Sequence, residues 1–334
     1  MSKQRMMPAI NLALYEEMNR DKKVILYGED AGISLLGQTT GLQENFGKDR
    51  VRDTPICENI MTGMAVGLAA AGYRPICHLL YGNFIYTGFD SIANQAAKLK
   101  YMTAGQVKLP IVYMAVIGGG RSAAAQHSDI PYPALMNLGG VKVVVPSNSR
   151  TARGLLKSAI RDDNPVFYLT AAGGGRPEEV PDDDNYLIPI GKAEVLNKGD
   201  DVTIISIGPM TLKASQAAKK LNEKGVGIDL IDLLSLAPID EDTIINSLKK
   251  TGRAVIVDEA RDICSAASHI SAILSDKAFK YLKSPIKRVT VKDVAIPYSP
   301  TLESHVIPEV EDICLLYTSD AADDLLCVDL GGRR

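Results

Sequence analysis

The residues able to do chemistry sit in a few short stretches of this 334-residue sequence. Glu58 opens a helical pattern that runs through Gly63 and Gly67, and a carboxylate in a first turn is favoured by the helix dipole. His127 follows a Gly/Ala-rich turn, which lets backbone approach a ligand closely, and imidazole moves protons near neutral pH. Gly118-Gly119-Gly120-Arg121-Ser122-Ala123 fits G-x-G-x-x-A after a strand-like run. A dinucleotide site would also need an acid about 20 positions on, to hold the ribose. That region reads Leu138-Gly139-Gly140-Val141, with Pro146-Ser147 after the next run, and offers none. A glycine turn over some other ligand remains. Cys77 and His78 are adjacent on a predicted strand, so they point to opposite faces and do not form a catalytic pair. No G-x-x-x-x-G-K-[ST], H-E-x-x-H or G-x-S-x-G occurs.

These side chains need elements to hold them. Apolar or β-branched runs at 23–27, 75–80, 110–117, 141–145 and 166–169 alternate with helix-forming stretches at 60–71, 84–102 and 151–160. The alternation predicts an α/β protein, with parallel strands joined by helical crossovers. A stretch rich in Gly, Pro and acid at 173–185 interrupts the pattern. A second α/β unit follows, with strands expected at 201–207, 226–231, 254–257 and 286–291 and helices at 210–224 and 266–274. The expected organisation is a first domain at 1–178, a linker at 179–198 and a second domain at 199–313. Residues 314–334 resemble translated sequencing-adapter read-through, or else form a divergent tail, and stand apart from the fold.

Charge and composition narrow the partners. With 37 Lys+Arg against 40 Asp+Glu, the net charge is -3, too weak a field to hold nucleic acid or an anionic membrane. No apolar run approaches the roughly 18 residues of a membrane span. The first residues carry no apolar signal core. Five cysteines without a C-x-x-C pair suit neither a disulfide framework nor a zinc knuckle, so a cytoplasmic location is expected.

Read as an ordered set, several blocks resemble one family. They are Leu26-Tyr27-Gly28-Glu29-Asp30, residues 41–47 (GLQENFG), residues 50–58 (RVRDTPICE), Asn83-Phe84-Ile85-Tyr86, Phe89-Asp90, Gln126-His127-Ser128, residues 143–147 (VVVPS), residues 158–162 (SAIRD) and Val257-Asp258-Glu259. From about residue 9 to 313 the chain resembles the β subunit of the thiamine-diphosphate-dependent E1 component of 2-oxoacid dehydrogenases, of pyruvate, branched-chain or acetoin type. The resemblance implies a transketolase-like pyrimidine-binding domain, with a parallel sheet and helices on both faces, followed by a transketolase C-terminal-like domain. It implies oxidative decarboxylation of a 2-oxo acid such as pyruvate, or acetoin cleavage, with acyl transfer to a lipoyl-bearing E2. In such enzymes a G-D-G motif with a later Asn holds the diphosphate and Mg²⁺. Gly199-Asp200-Asp201 lacks the second Gly. An E1 α subunit should therefore supply that half, most simply in an α2β2 heterotetramer.

The resemblance also assigns residues. Glu58 matches the glutamate that hydrogen-bonds N1′ of the aminopyrimidine ring and favours its imino form; a buried carboxyl with a raised pKa suits such a site. His127 matches an active-site histidine for substrate positioning and proton transfer. Phe84 matches an aromatic beside the cofactor, although core packing would explain a Phe almost as well. Ile111, Ala159, Ile160, Asp162 and Asn164 match a potassium loop, although Asp162-Asp163-Asn164-Pro165 is also a good helix-ending turn. The small residues Gly63 and Gly67 suit close helix packing, at a subunit interface or inside one domain.

Four positions depart from the family pattern. His78, Leu80, Met114 and Asp129 stand where Glu, Gln, Arg and Gln are common. A carboxylate at Asp129 would repel an anionic 2-oxo acid unless it is paired or protonated. Two alternatives stay open: the C-terminal half of a split transketolase moving a ketol unit between sugar phosphates, and a non-catalytic structural partner subunit.

Overall fold

A computed structural model describes residues 3–171, 175 and 177–315. The first part contains β1 (Lys3–Gln4), α1 (Met6–Arg20), β2 (Val24–Gly28), α2 (Leu42–Phe46), β3 (Val51–Asp53), α3 (Glu58–Ala70) and β4 (Arg74–Tyr81). It continues with α4 (Leu99–Met102), β5 (Val112–Ile117), α5 (Tyr132–Met136), β6 (Lys142–Val144), α6 (Ser149–Arg161), β7 (Val166–Ala171) and β8 (Glu178–Glu179). The second part holds β9 (Glu194–Asn197), β10 (Val202–Ser206), α7 (Met210–Glu223), β11 (Ile228–Asp232), β12 (Ser235–Ala237) and α8 (Glu241–Thr251). It ends with β13 (Ala254–Arg261), α9 (Ala266–Ala278), β14 (Lys287–Val291) and α10 (Pro300–Val306).

A seven-stranded sheet runs in the order β12-β6-β7-β5-β4-β2-β3, parallel except for the antiparallel pair β12–β6. A second sheet runs β14-β13-β10-β11-β9, parallel except for β9. The central strands β5 and β7 are buried along their whole length because both faces of the sheet are covered there. Tyr27, Cys77, Tyr113 and Phe167 join one core cluster, while Leu26, Ile76, Met114 and Tyr168 join another. That is the two-residue alternation of a strand.

Three features differ from the expectation. The segment expected as a linker at 179–198 contains β9, which pairs with β11. β12 leaves the second unit and extends the first sheet beside β6, so the two units share a strand. Residues 84–102 do not form one helix. A 3₁₀ turn covers Gly82–Tyr86, a π turn Ser91–Ala96, and only α4 is regular. The segment is closely packed: a Cβ on Gly82 would lie 2.8 Å from Ile117 Cγ2, and one on Gly88 would lie 2.4 Å from Thr62 Oγ1. The tail beyond Leu315 lies outside the described residues.

Candidate active site

Parallel sheets present loops at the carboxyl ends of their strands, where ligands of open α/β folds bind. Glu29 follows β2, Glu58 follows β3, Phe84 follows β4 and His127 follows β5. These four strands are neighbours in the sheet order β5-β4-β2-β3. Residues spread over 99 positions are therefore brought to one edge.

Glu58 is the first residue of α3 and is 8% exposed. Thr62 Oγ1 donates to its carbonyl at 2.8 Å and also to the carbonyl of Gly88, tying the loop after Phe84 to the start of α3. Beside Glu58 lies Glu29. Burial, then the neighbouring Glu58 carboxyl and a hydrogen bond between the two, push the Glu29 carboxyl up to about 8. One Glu29 oxygen, Oε1, is buried without a partner among the described residues. The raised carboxyl that the structure shows at this site is Glu29.

His78 explains how Glu29 is held. It is buried, which lowers its pKa and keeps the ring neutral. Its Nδ1 faces the Glu29 carbonyl at 3.0 Å, an acceptor only, so Nδ1 carries the proton. Nε2 then accepts from Gln38 Nε2 at 3.0 Å. The departure at position 78 thus places a neutral donor under Glu29. Leu80 takes φ +54°, a left-handed conformation unusual for a leucine, where the β4–β5 register shifts. That bulge turns Tyr81 and the following 3₁₀ turn toward His127.

His127 ends a short 3₁₀ turn. Its ring stands edge-on to Tyr81 at 4.7 Å and to Phe84 at 5.6 Å. Phe84 is half-buried against these rings. Asn83 brackets the histidine: its Oδ1 accepts from Asp129 N at 3.1 Å and its Nδ2 donates to Ala125 O at 3.4 Å. Asp129 is paired, with Arg261 Nη1 2.9 Å from its carboxylate. Met114 is buried inside β5. Sequence reasoning missed Glu29, Tyr81 and Arg261 as site residues; only Glu29 had a local signal, an acid at the end of a strand.

The potassium positions do gather at one corner, but cationic side chains already serve it. Arg74 donates to the carbonyls of Ile160 (2.9 Å) and Asp162 (3.0 Å), and the Ile111 and Ala159 carbonyls accept backbone N–H groups. Lys142 binds the Asp162 carboxylate and Lys100 the Asn164 amide oxygen. Among the described residues no group of three or more His, Cys, Asp or Glu side chains is arranged around a metal position.

This arrangement offers a flat ring two things: a carboxyl pair with an open buried acceptor, and an aromatic wall carrying an imidazole. It fits the aminopyrimidine half of thiamine diphosphate.

Comparison with known proteins agrees. Residues 2–172 match the transketolase pyrimidine binding domain and residues 191–313 the transketolase C-terminal domain. The chain is 42% identical over 323 residues to the acetoin:2,6-dichlorophenolindophenol oxidoreductase subunit beta of Bacillus subtilis (strain 168), covering 92% of this chain and 94% of that one. It is 38% identical over 317 residues to the pyruvate dehydrogenase E1 component subunit beta of Staphylococcus epidermidis, covering 94% and 97%. It is 40% identical over 302 residues to the 2-oxoisovalerate dehydrogenase subunit beta of B. subtilis, covering 89% and 92%. A solved split-gene transketolase, described as an inactive beta4 tetramer, superposes with a TM-score of 0.78 at 27% identity, covering 93% of this chain and 96% of that one. Two transketolase-like domains in this order, with such relatives along nearly the whole chain, make it a member of the E1 β-subunit family of 2-oxoacid and acetoin dehydrogenases.

Proposed function

We propose that this chain is the β subunit of a thiamine-diphosphate-dependent E1 enzyme that decarboxylates a 2-oxo acid such as pyruvate, or cleaves acetoin, and passes the acyl group to a lipoyl-bearing E2. The observation that carries the reading is the buried Glu58–Glu29 pair at one sheet edge with His127. When bound, the cofactor supplies a carbon nucleophile and an electron sink for the carbonyl substrate. The chain's own residues do the rest. Glu58 would hold the pyrimidine N1′, and the raised Glu29 carboxyl beside it keeps a proton at neutral pH within hydrogen-bond reach of that contact. Phe84 and Tyr81 exclude water from one side and orient the imidazole. His127 would position the substrate and move a proton at its oxygen. Arg261 cancels the Asp129 charge, so an anionic substrate meets no net repulsion there.

The diphosphate and Mg²⁺ would be held by an E1 α subunit in an α2β2 assembly, and the working location is the cytoplasm. Among the described residues no helix is long and apolar enough to cross a membrane. A potassium ion at the α6 corner would have to share its carbonyls with Arg74. A melting temperature higher in KCl than in NaCl would support the ion; equal values would remove it. The split-transketolase likeness keeps ketol transfer as a second reading.

The test is co-expression with an α chain and a screen of 2-oxo acids, acetoin and sugar phosphates with an artificial electron acceptor. Glu58→Gln should lower turnover at least about a hundredfold while the complex still assembles. Near-normal activity in that variant would refute the role of Glu58, and ketol transfer without 2-oxo acid oxidation would favour the second reading.

A further inference from the structure

The glycine turn after β5 fits no nucleotide site, yet both its backbone and the residues beyond it are gripped from the second domain. Glu259, at the end of β13, accepts from Gly119 N at 2.7 Å. Glu303, on α10, accepts from Gly120 N and Ser122 N, both at 2.8 Å, and from Ser122 Oγ at 3.4 Å. Arg261 binds Asp129 at 2.9 Å. Asp258 accepts a short hydrogen bond from the Tyr132 hydroxyl, and is itself fixed by the N–H groups of Ala260 and Ala267 at 2.8 and 3.0 Å. Asp258, Glu259 and Glu303 are all buried.

These contacts explain the glycines. A Cβ on Gly118 would lie 2.8 Å from Glu259 Oε2, and one on Gly119 would lie 2.5 Å from Ile307 Cδ1 and 3.1 Å from Glu303 Oε1. Gly118 and Gly120 also take φ +86° and +89°, a region that side chains resist. The glycines admit two carboxylates to the backbone instead of a phosphate.

The four grips fall on both sides of His127: positions 119 and 120–122 before it, 129 and 132 after it. His127 lies in the stretch 123–128, between the two gripped sections, where none of these bonds falls. We propose that the second domain is the positioning frame of the active-site histidine, with Asp258, Glu259, Arg261 and Glu303 as positioning residues that act on His127 through segment 119–132. The inference rests on the proposed role of His127. It gives the second domain a share in catalysis without any side chain of its own touching the cofactor. Glu29 and Glu58 follow β2 and β3, strands that lie beyond β4 from β5, outside this frame.

Two measurements test it, on Glu303→Ala, Glu303→Gln and Arg261→Met. In the isolated full chain, amide hydrogen exchange should rise about tenfold or more at 119–122 in Glu303→Ala while strands β5 and β13 keep their protection. Glu303→Gln, which retains one acceptor, should recover part of it. In the reconstituted α/β complex, kcat with pyruvate or acetoin should fall about ten- to a hundredfold in Glu303→Ala and Arg261→Met, because small displacements of a catalytic group cost that much. Thiamine diphosphate affinity should stay within about twofold, since its carboxyl partners lie elsewhere. Unchanged exchange, or kcat and cofactor affinity falling together with the melting temperature, would overturn the frame. His127→Ala in the same assay separates the two layers. If it retains full activity, the role of His127 fails and positioning falls with it; if it is inactive while both frame variants keep wild-type kcat, the frame alone is wrong.

Discussion

Glu29 shares a buried site with Glu58, and the cost of burying the Glu29 carboxyl depends on pH. Burial holds the Glu29 carboxyl at about 8, against an ordinary value near 4.5. Glu259, raised to about 7 by burial, shifts the same way. A folded-state pKa above the unfolded one means that the native chain binds the extra proton. Its contribution is fully present below about pH 4.5 and is lost as pH rises through about 8. The isolated chain should therefore melt at falling temperature between about pH 5 and about pH 8.5, and Glu29→Gln should flatten that slope. Calorimetry across this range decides it; a slope identical in the variant would show that Glu29 is not the titrating group.

The loop between β4 and β5 shows how an element can be set by its neighbours rather than by its own composition. Residues 84–102 are rich in helix formers, yet they form short turns, and Gly82 and Gly88 sit in tight contact with their neighbours. Gly88 presses on the first turn of α3, with a would-be Cβ 2.4 Å from Thr62 Oγ1 and 2.8 Å from the Glu58 carbonyl. Gly88→Ala should force that turn aside and cost about 1–3 kcal/mol in urea unfolding, as overpacking does. In the α/β complex it should also weaken thiamine diphosphate binding, because the Glu58 carbonyl moves with the turn. Wild-type stability would mean the contact is soft.

At the scale of the molecule, α3 faces two ways. Gly63 packs inward, its would-be Cβ 3.1 Å from Ser91 Oγ, so part of the small-residue pattern serves packing within the domain. The stripe beside it is open: Ile60 is 67% exposed and Met64 37%, with Ile56 at 81% just before the helix. The relatives are subunits of multimers by name, and a stripe of this kind is suited to a partner subunit. Ile60→Asp combined with Met64→Asp should leave the melting temperature of the isolated chain nearly unchanged, within about 0.5 kcal/mol. It should abolish co-purification with the α chain. Assembly at wild-type stoichiometry in light scattering would move the interface elsewhere.

The alternation of strands and helices and the two units were legible in the sequence, because periodicity is a short-range property; Glu58, Phe84 and His127 were singled out through the family resemblance and not through periodicity. Strand edges fell within a few residues of the expected runs, and the buried alternation of Cys77 against His78 followed from pleating alone. Other features depended on the packed chain. β12 crosses into the first sheet, burial raises the Glu29 carboxyl, and Arg261 neutralises Asp129. Each of these joins groups far apart in sequence, or depends on burial, and neither distance nor desolvation is written in local composition. The glycine turn is the plainest case: its spacing suits a phosphate, and only the fold put Glu259 and Glu303 against its N–H groups.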